Sequence, residues 1–317
     1  MSKAAACAPA EPGSSEFLDD AVAGLTRSPK ILPGKYLWDE TGSDLFDQIC
    51  HAPDYYPTGR EMGLLAEAAA DVARRIGPEV KVVEFGSGAS RKIRTLLDAL
   101  ERPAVYVALD IAGDYLDAAI HRLAPDYPSV VMMPVHADYS KAVELPAGVP
   151  GRAVLGFFPG TSIGNFSPEE AGAFLAEARR TLGPSLFLVG ADPTRDEDRL
   201  RRAYGGADGL MAAFHLNLLA RMNRELGADF DLGNFRHGVR ICNEPFRVEA
   251  HLVARRAATY RLGGRTITFE AGESIRTDTS HKYDPDAFRA LAAQNGWSPV
   301  ALWLDPERSF SLHLFQG

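Results

Sequence analysis

The run Val82-Val83-Glu84-Phe85-Gly86-Ser87-Gly88 joins an apolar strand pattern to a helical one. Small residues at such a turn let a ligand approach the backbone, and a helix N-terminus offers free N–H groups. Asp110 stands 24 residues beyond Gly86, at the end of the next apolar run. An acid there can accept both hydroxyls of an adenosine ribose. Asp138-Tyr139 follows a third apolar run. This pair suits an adenine pocket, with the acid at the exocyclic amine and the ring alongside.

The candidate nucleosides can be separated. Taken alone, Gly86-Ser87-Gly88 is equally well read as a tight turn. Acids at two successive strand ends favour a nucleoside site. A dinucleotide fingerprint needs a third glycine where this chain has Arg91, too bulky for close helix–strand packing. The phosphate-loop pattern G-x-x-x-x-G-K-[ST] is not matched by Gly86–Lys92. E-x-G-x-G with an acid after the second strand is the usual arrangement for S-adenosylmethionine, the expected cofactor. The loop Pro159-Gly160-Thr161-Ser162-Ile163-Gly164-Asn165-Phe166 follows the fourth strand. Ligands of open α/β sheets sit outside the carboxyl ends of the strands, so Asn165 falls beside the transferable methyl. It can orient the carboxylate or amine of an amino acid there. The bland alternative is a helix-leading turn. Asp54-Tyr55-Tyr56-Pro57-Thr58 and Thr277-Asp278-Thr279-Ser280-His281-Lys282-Tyr283 also gather hydrogen-bonding groups. Alone, they read as packing tyrosines and a solvated loop.

Five apolar runs set these residues in place: Val80–Phe85, Ala104–Asp110, Val130–Val135, Ala153–Phe158 and Ser185–Gly190. Helical patterns alternate with them, notably Ser90–Leu100 and Pro168–Leu182. Ser167 and Glu170 make a capping box for the latter. Alternating strands and helices imply βαβ units and a mostly parallel, doubly wound sheet. After about Pro193 the pattern changes. Asp196–Leu226 looks helical with a break at Gly205-Gly206, and Phe246–Phe269 reads as antiparallel strands turning at Gly263-Gly264. Pro285–Gln294 is helical, and two strands follow near Val300–Leu304 and Ser309–Leu314. The expected fold class is α/β, a Rossmann-like core carrying a second, mixed α+β lobe.

With 34 Lys+Arg against 42 Asp+Glu, the net charge of −8 argues against nucleic acid or an anionic membrane as partner. The three cysteines, Cys7, Cys50 and Cys242, are too scattered for a disulfide framework or a zinc site. No metal is expected, and no protein partner is evident. Met1–Ser15 reads as a flexible tail without the apolar stretch of a signal peptide. No segment reaches the roughly 18 apolar residues of a membrane helix. A cytoplasmic location is expected.

Several ordered blocks resemble the histidine Nα-methyltransferase family of ergothioneine biosynthesis. They include Lys35-Tyr36, Gly42-Ser43-Asp44-Leu45-Phe46, Tyr55-Tyr56-Pro57-Thr58, Glu84–Gly88, Gly160–Asn165, Ala212-Ala213-Phe214, Ala228-Asp229-Phe230 and Ser280-His281-Lys282-Tyr283. The likeness runs from about Leu25 to the C-terminus. It implies a class I methyltransferase core of residues 60–195 and 285–317, and a substrate lobe of 16–59 and 196–284. It implies cofactor contacts at Gly86, Gly88, Lys92, Asp110, Asp138 and Tyr139, with Gly160 near the methyl. It also implies that Asn165 and Tyr204 hold an α-carboxylate while Tyr55 and Ser280 face the side chain. Tyr55 and Asn165 are the residues expected at the reacting amine.

Four pocket positions depart from that family's pattern. Trp38 stands for Tyr, Met211 for Thr, Ala250 for Met and Asp278 for Glu. Asp278 withdraws its carboxylate by about 1.5 Å. The expected reaction is S-adenosylmethionine-dependent methylation of the α-amine of a free amino acid, histidine first, with tryptophan or tyrosine as alternatives. An NAD-dependent oxidoreductase and a non-catalytic amino-acid sensor are the remaining readings.

Overall fold

The computed structural model describes residues 12–88, 91–139, 141, 143–146, 151–206 and 208–317, with the side chains of 12–14, 91 and 114 left aside. The chain opens with α1 (Pro12–Thr26), the short β1 (Lys30–Ile31), α2 (Glu40–His51) and α3 (Tyr56–Ile76). The expected tail therefore ends sooner than read. Residues 12–15 belong to α1, and residues 1–11 lie outside the described residues. Alternation then follows: β2 (Val80–Phe85), α4 (Arg91–Ala99), β3 (Val105–Asp110), α5 (Gly113–Leu123), β4 (Val131–His136), β5 (Ala153–Phe158), α6 (Pro168–Leu182) and β6 (Leu186–Ala191). The Ser167–Glu170 capping box closes the start of α6 as expected.

The second half runs α7 (Glu197–Gly205), α8 (Leu210–Leu226), β7 (Phe235–Asn243), β8 (Phe246–Ala254), β9 (Ala258–Leu262), β10 (Arg265–Phe269) and β11 (Ser274–His281). It ends with α9 (Pro285–Gln294), β12 (Ser298–Leu304) and β13 (Ser311–Gln316). β7 and β11 were not foreseen. β7 (FRHGVRICN) mixes charge with a glycine, and only pairing with β8 gives it a partner. The supposed solvated loop at 277–283 is largely strand. β11 lies between β1 and β8, and Thr277, Ser280, His281 and Lys282 are buried.

Among the described residues, seven strands form one sheet in the order β12-β13-β6-β5-β2-β3-β4. β2 to β6 run parallel, and the C-terminal hairpin adds antiparallel through β13 on β6. The chain winds outward from β2 through β3 to β4, then returns to lay β5 on the other side of β2. The carboxyl ends of β2 and β5 thus flank the point where strand order reverses, the place where such sheets bind ligands. Apolar clusters cover both faces of the sheet, one with Leu65, Ile93 and Leu116, the other with Phe174, Phe187 and Phe288. A third cluster joins Phe17, Leu218, Leu252, Phe269 and Ile275 beneath the smaller sheets. No described helix is long and apolar enough to cross a membrane.

Candidate functional site

The carboxyl end of β2 turns sharply at Gly86, whose φ is +72°. A Cβ here would also come within 3.1 Å of the Tyr139 hydroxyl, so only glycine fits. Gly88 N–H donates to Asp110 Oδ2 at 3.1 Å, and Ala112 N–H donates to Oδ1 at 2.9 Å. The acid is thereby fixed at the mouth of a pocket, and its carboxylate keeps lone pairs for further donors. Glu84 is fully buried beneath it and accepts from the Tyr106 hydroxyl. Burial pushes the Glu84 carboxyl up to about 8.

This pocket is lined by Gly86, Ser87, Gly88, Lys92, Asp110, Ile111, Tyr115 and Tyr139, with an empty volume of about 1060 Å³. Ile111 follows the acid and is 41% exposed, an apolar face open to a flat ring. A glycine cradle, an acid with spare acceptor capacity and an exposed apolar wall fit an adenosyl group. Asp138 lines the adjoining wide cleft instead, near Lys141 at 3.4 Å. Arg91, the residue used against a dinucleotide, has its side chain outside the description.

A second pocket of about 800 Å³ adjoins the first, and Trp38, Phe46, Cys50, Thr58, Lys92 and Ser162 line both. It contains Tyr55, Gly160, Asn165, Tyr204, Met211, Ala250, Asp278 and Ser280. The expected site residues thus gather around two joined pockets and one cleft. They come from many elements. Tyr55 precedes the first turn of α3, Tyr204 ends α7, and Met211 begins α8. Ala250 and Asp278 are cross-strand partners on β8 and β11, just after a bulge at Thr277. Bulges re-aim side chains beside sites. The Asn165 loop is tied to β11 by His281 Nδ1–H donating to Gly164 O (3.1 Å), and the Tyr283 hydroxyl donates to Phe166 O (3.0 Å). Asp39 caps α2 and accepts from Asn217 and Arg224 of α8, which holds Trp38 against Phe46 and Phe214.

Between the pockets Lys92 pairs with Glu61, a residue that sequence reading missed. Glu61 is fully buried on α3. Its Oε1 accepts from Gly160 N–H at 2.6 Å, and its Oε2 is 2.6 Å from Lys92 Nζ. Burial works against the Lys92 charge, but Glu61 more than offsets it and the ammonium pKa is raised. Lys92 is therefore a held cation. Gly160 has φ +75°, and a Cβ there would meet Lys92 Nζ at 3.1 Å. The available signal was an acid on the apolar stripe of a helix, in line with Pro57, Leu64, Leu65 and Ala68.

The electrostatics of the second pocket are uneven. Burial raises the Asp278 carboxyl to about 6, and among the described residues it makes no ion pair. Its Oδ1 accepts from Thr279 N–H at 2.8 Å. Burial holds the Tyr55 phenol well above its ordinary range, so it stays neutral. His215, also missed, lines the pocket with Nδ1 2.9 Å from Thr277 Oγ1, and burial lowers its pKa. Aromatic faces of Trp38, Phe46, Tyr55, Tyr204 and Phe214 surround the space. Such faces favour a cation.

Residues 17–317 match the model of a family described as histidine-specific methyltransferase, SAM-dependent. The chain is 38% identical over 301 residues to the histidine N-alpha-methyltransferase of Mycolicibacterium smegmatis, covering 93% of each chain. It is 37% identical over 302 residues to that of Mycobacterium tuberculosis, again covering 93% of each. Likeness extends at 27% identity over 314 residues to the 4-dimethylallyltryptophan N-methyltransferase of Aspergillus fumigatus, covering 92% of this chain and 91% of the other.

Proposed function

The chain belongs to the histidine-specific, S-adenosylmethionine-dependent methyltransferases, and from that premise we propose that it methylates the α-amino nitrogen of free L-histidine. Its core is a class I methyltransferase fold. The finer reading is stepwise conversion to trimethylhistidine, as in ergothioneine biosynthesis, by a cytoplasmic enzyme. The observation that carries it is the pair of joined pockets, one built for an adenosyl group and one lined by Asn165, Tyr204 and Asp278.

In this reading, residues 60–195 and 285–317 hold the cofactor through Gly86, Gly88, Lys92, Asp110, Asp138, Tyr139 and Gly160. Residues 16–59 and 196–284 supply most of the amino-acid pocket. When bound, S-adenosylmethionine supplies an electrophilic methyl on a sulfonium that leaves as S-adenosylhomocysteine. The protein's task is alignment. Asn165 and Tyr204 hold the carboxylate, which fixes the amine beside Gly160. Tyr55 accepts a hydrogen bond from the amine. Its neutral phenol is too weak a base to take the proton, which passes to water. The aromatic faces stabilise the methylated ammonium as it gains charge.

The substrate side chain meets Asp278, which makes no ion pair among the described residues and so offers an acceptor to an imidazole N–H. A second reading is favoured by Ala250. A small residue opposite Asp278 leaves room for a larger ring, and a relative named for a tryptophan derivative lies within reach of similarity. Incubating the enzyme with S-adenosylmethionine and each of the twenty amino acids, with mass-spectrometric detection, tests both. Trimethylated histidine as the dominant product is expected. Methylated tryptophan or tyrosine would transfer the assignment to the larger ring, and no methylated amino acid would refute the proposal.

A further inference from the structure

The amino-acid pocket is backed by a cation that does not line it. Lys282 and Asp192 are both wholly enclosed, with Nζ and Oδ2 2.6 Å apart. Burial opposes the lysine charge, but the adjacent carboxylate outweighs it and the pKa is raised. An ammonium has three hydrogens and accepts nothing. All three are committed: to Asp192 Oδ2, to Tyr204 Oη at 2.7 Å and to Ser280 Oγ at 3.0 Å. Asp192 is otherwise satisfied by the Tyr56 hydroxyl at 2.6 Å and Thr194 N–H at 2.8 Å. The pair is therefore anchored on the core side and directed at two pocket hydroxyls on the other.

The hydrogen count then leaves two polarities. Tyr204 Oη and Ser280 Oγ lie 3.0 Å apart, and each accepts from Lys282. Neither can turn its own hydrogen toward the lysine. One of their two hydrogens closes the bond between them, and one is left for the pocket. Phenol is the stronger donor, Lys282 sits closer to it, and a substrate carboxylate is a stronger acceptor than a serine oxygen, so with substrate bound the outward hydrogen belongs to Tyr204. Ser280 then donates to Tyr204 and keeps a lone pair free.

We propose that Lys282 is a positioning residue for the methyl transfer: its ammonium orders these hydrogens so that Tyr204 donates to the substrate carboxylate and Ser280 presents an acceptor to the substrate side chain. This rests on the amino-acid reading above. It also sets a positive charge one hydroxyl behind the carboxylate.

The test compares the amino acid that the wild type methylates with the amine left by removing its carboxylate. Each is titrated calorimetrically into the full-length enzyme with S-adenosylhomocysteine present. Lys282→Met is made together with Asp192→Asn so that no lone charge is buried. The double variant should lose about tenfold to a hundredfold of the preference for the amino acid over the amine. Its S-adenosylhomocysteine affinity should stay within about twofold of wild type, as no pair member lines the adenosyl pocket. A preference within about threefold of wild type overturns the proposal.

If the double variant does not bind S-adenosylhomocysteine, Ser280→Ala and Tyr204→Phe decide instead. Tyr204→Phe should lose the preference and Ser280→Ala should keep it within about threefold; equal losses overturn the assigned polarity. A wild type that methylates no free amino acid refutes the parent reading, a result distinct from an unchanged preference in the variant.

Discussion

The pocket proposed for the adenosyl group and the one proposed for the amino acid share a wall, yet they are built in opposite ways. The first takes its glycines and its acid from one stretch, Glu84 to Ile111, at the ends of two neighbouring parallel strands, and other segments only complete its walls. Backbone geometry does most of the work there, through Gly86 and the Gly88–Asp110 hydrogen bond. The second draws its side chains, one to three at a time, from α3, α7, α8, β8 and β11, and closes with the loop after β5. Its polar groups are held by buried partners such as Lys282 and Asp192. A local frame tolerates change elsewhere in the chain, whereas an assembled pocket depends on several packings at once.

Variants can break that contrast. Asp110→Ala should weaken S-adenosylmethionine binding by at least about a hundredfold, since the nearest donors lose their acceptor; calorimetry reads it, and normal affinity would remove the ribose role. Tyr204→Phe should lower kcat/KM for the amino acid about tenfold to a hundredfold while cofactor affinity stays within about twofold. Equal loss on both sides would mean that the pockets are not separable. Glu61→Gln acts at the shared wall, because Glu61 holds both Lys92 and Gly160. KM for both ligands should rise together, by roughly fivefold to tenfold, and a rise in only one would assign Glu61 to that side.

Asp278 sharpens the comparison with a smaller effect. Its folded pKa of about 6 stands above the ordinary 3.8. The folded state therefore holds more protons between those values, and stability falls as pH rises through that window. Asp278→Asn removes the loss. It should be about 1–3 kcal/mol more stable than wild type at pH 7.5 and indistinguishable at pH 3.5, as read by urea unfolding. A gain that persists at pH 3.5 would have another cause. Asp278→Glu should raise histidine turnover severalfold by restoring reach, and a decline would favour a larger side chain.

Much of the molecule was legible because its signals are local. The parallel strands, the Ser167–Glu170 cap, the break between α7 and α8 and the hairpin at Gly263-Gly264 follow from periodicity and turn chemistry over a few residues. β11 was read as a solvated loop because its polar residues give no apolar alternation. They are buried because they bond to one another across the fold, as Thr277 does to His215 and Ser280 to Tyr204. Asn165 was reached from its place after the fourth strand, whereas the roles of Tyr55, Tyr204, Asp278 and Ser280 were reached through family resemblance, since 225 positions separate the first of these from the last.

The sequence by itself determined the alternating α/β core, the glycine turn and the acid that follows it, because each depends on neighbours along the chain. Only the tertiary structure decided that Glu61 braces Lys92 and Gly160, and that Lys282 and Asp192 stand behind two hydroxyls. A buried charge is tolerable only beside its partner, and those partners lie 31 and 90 residues apart, brought together by packing alone.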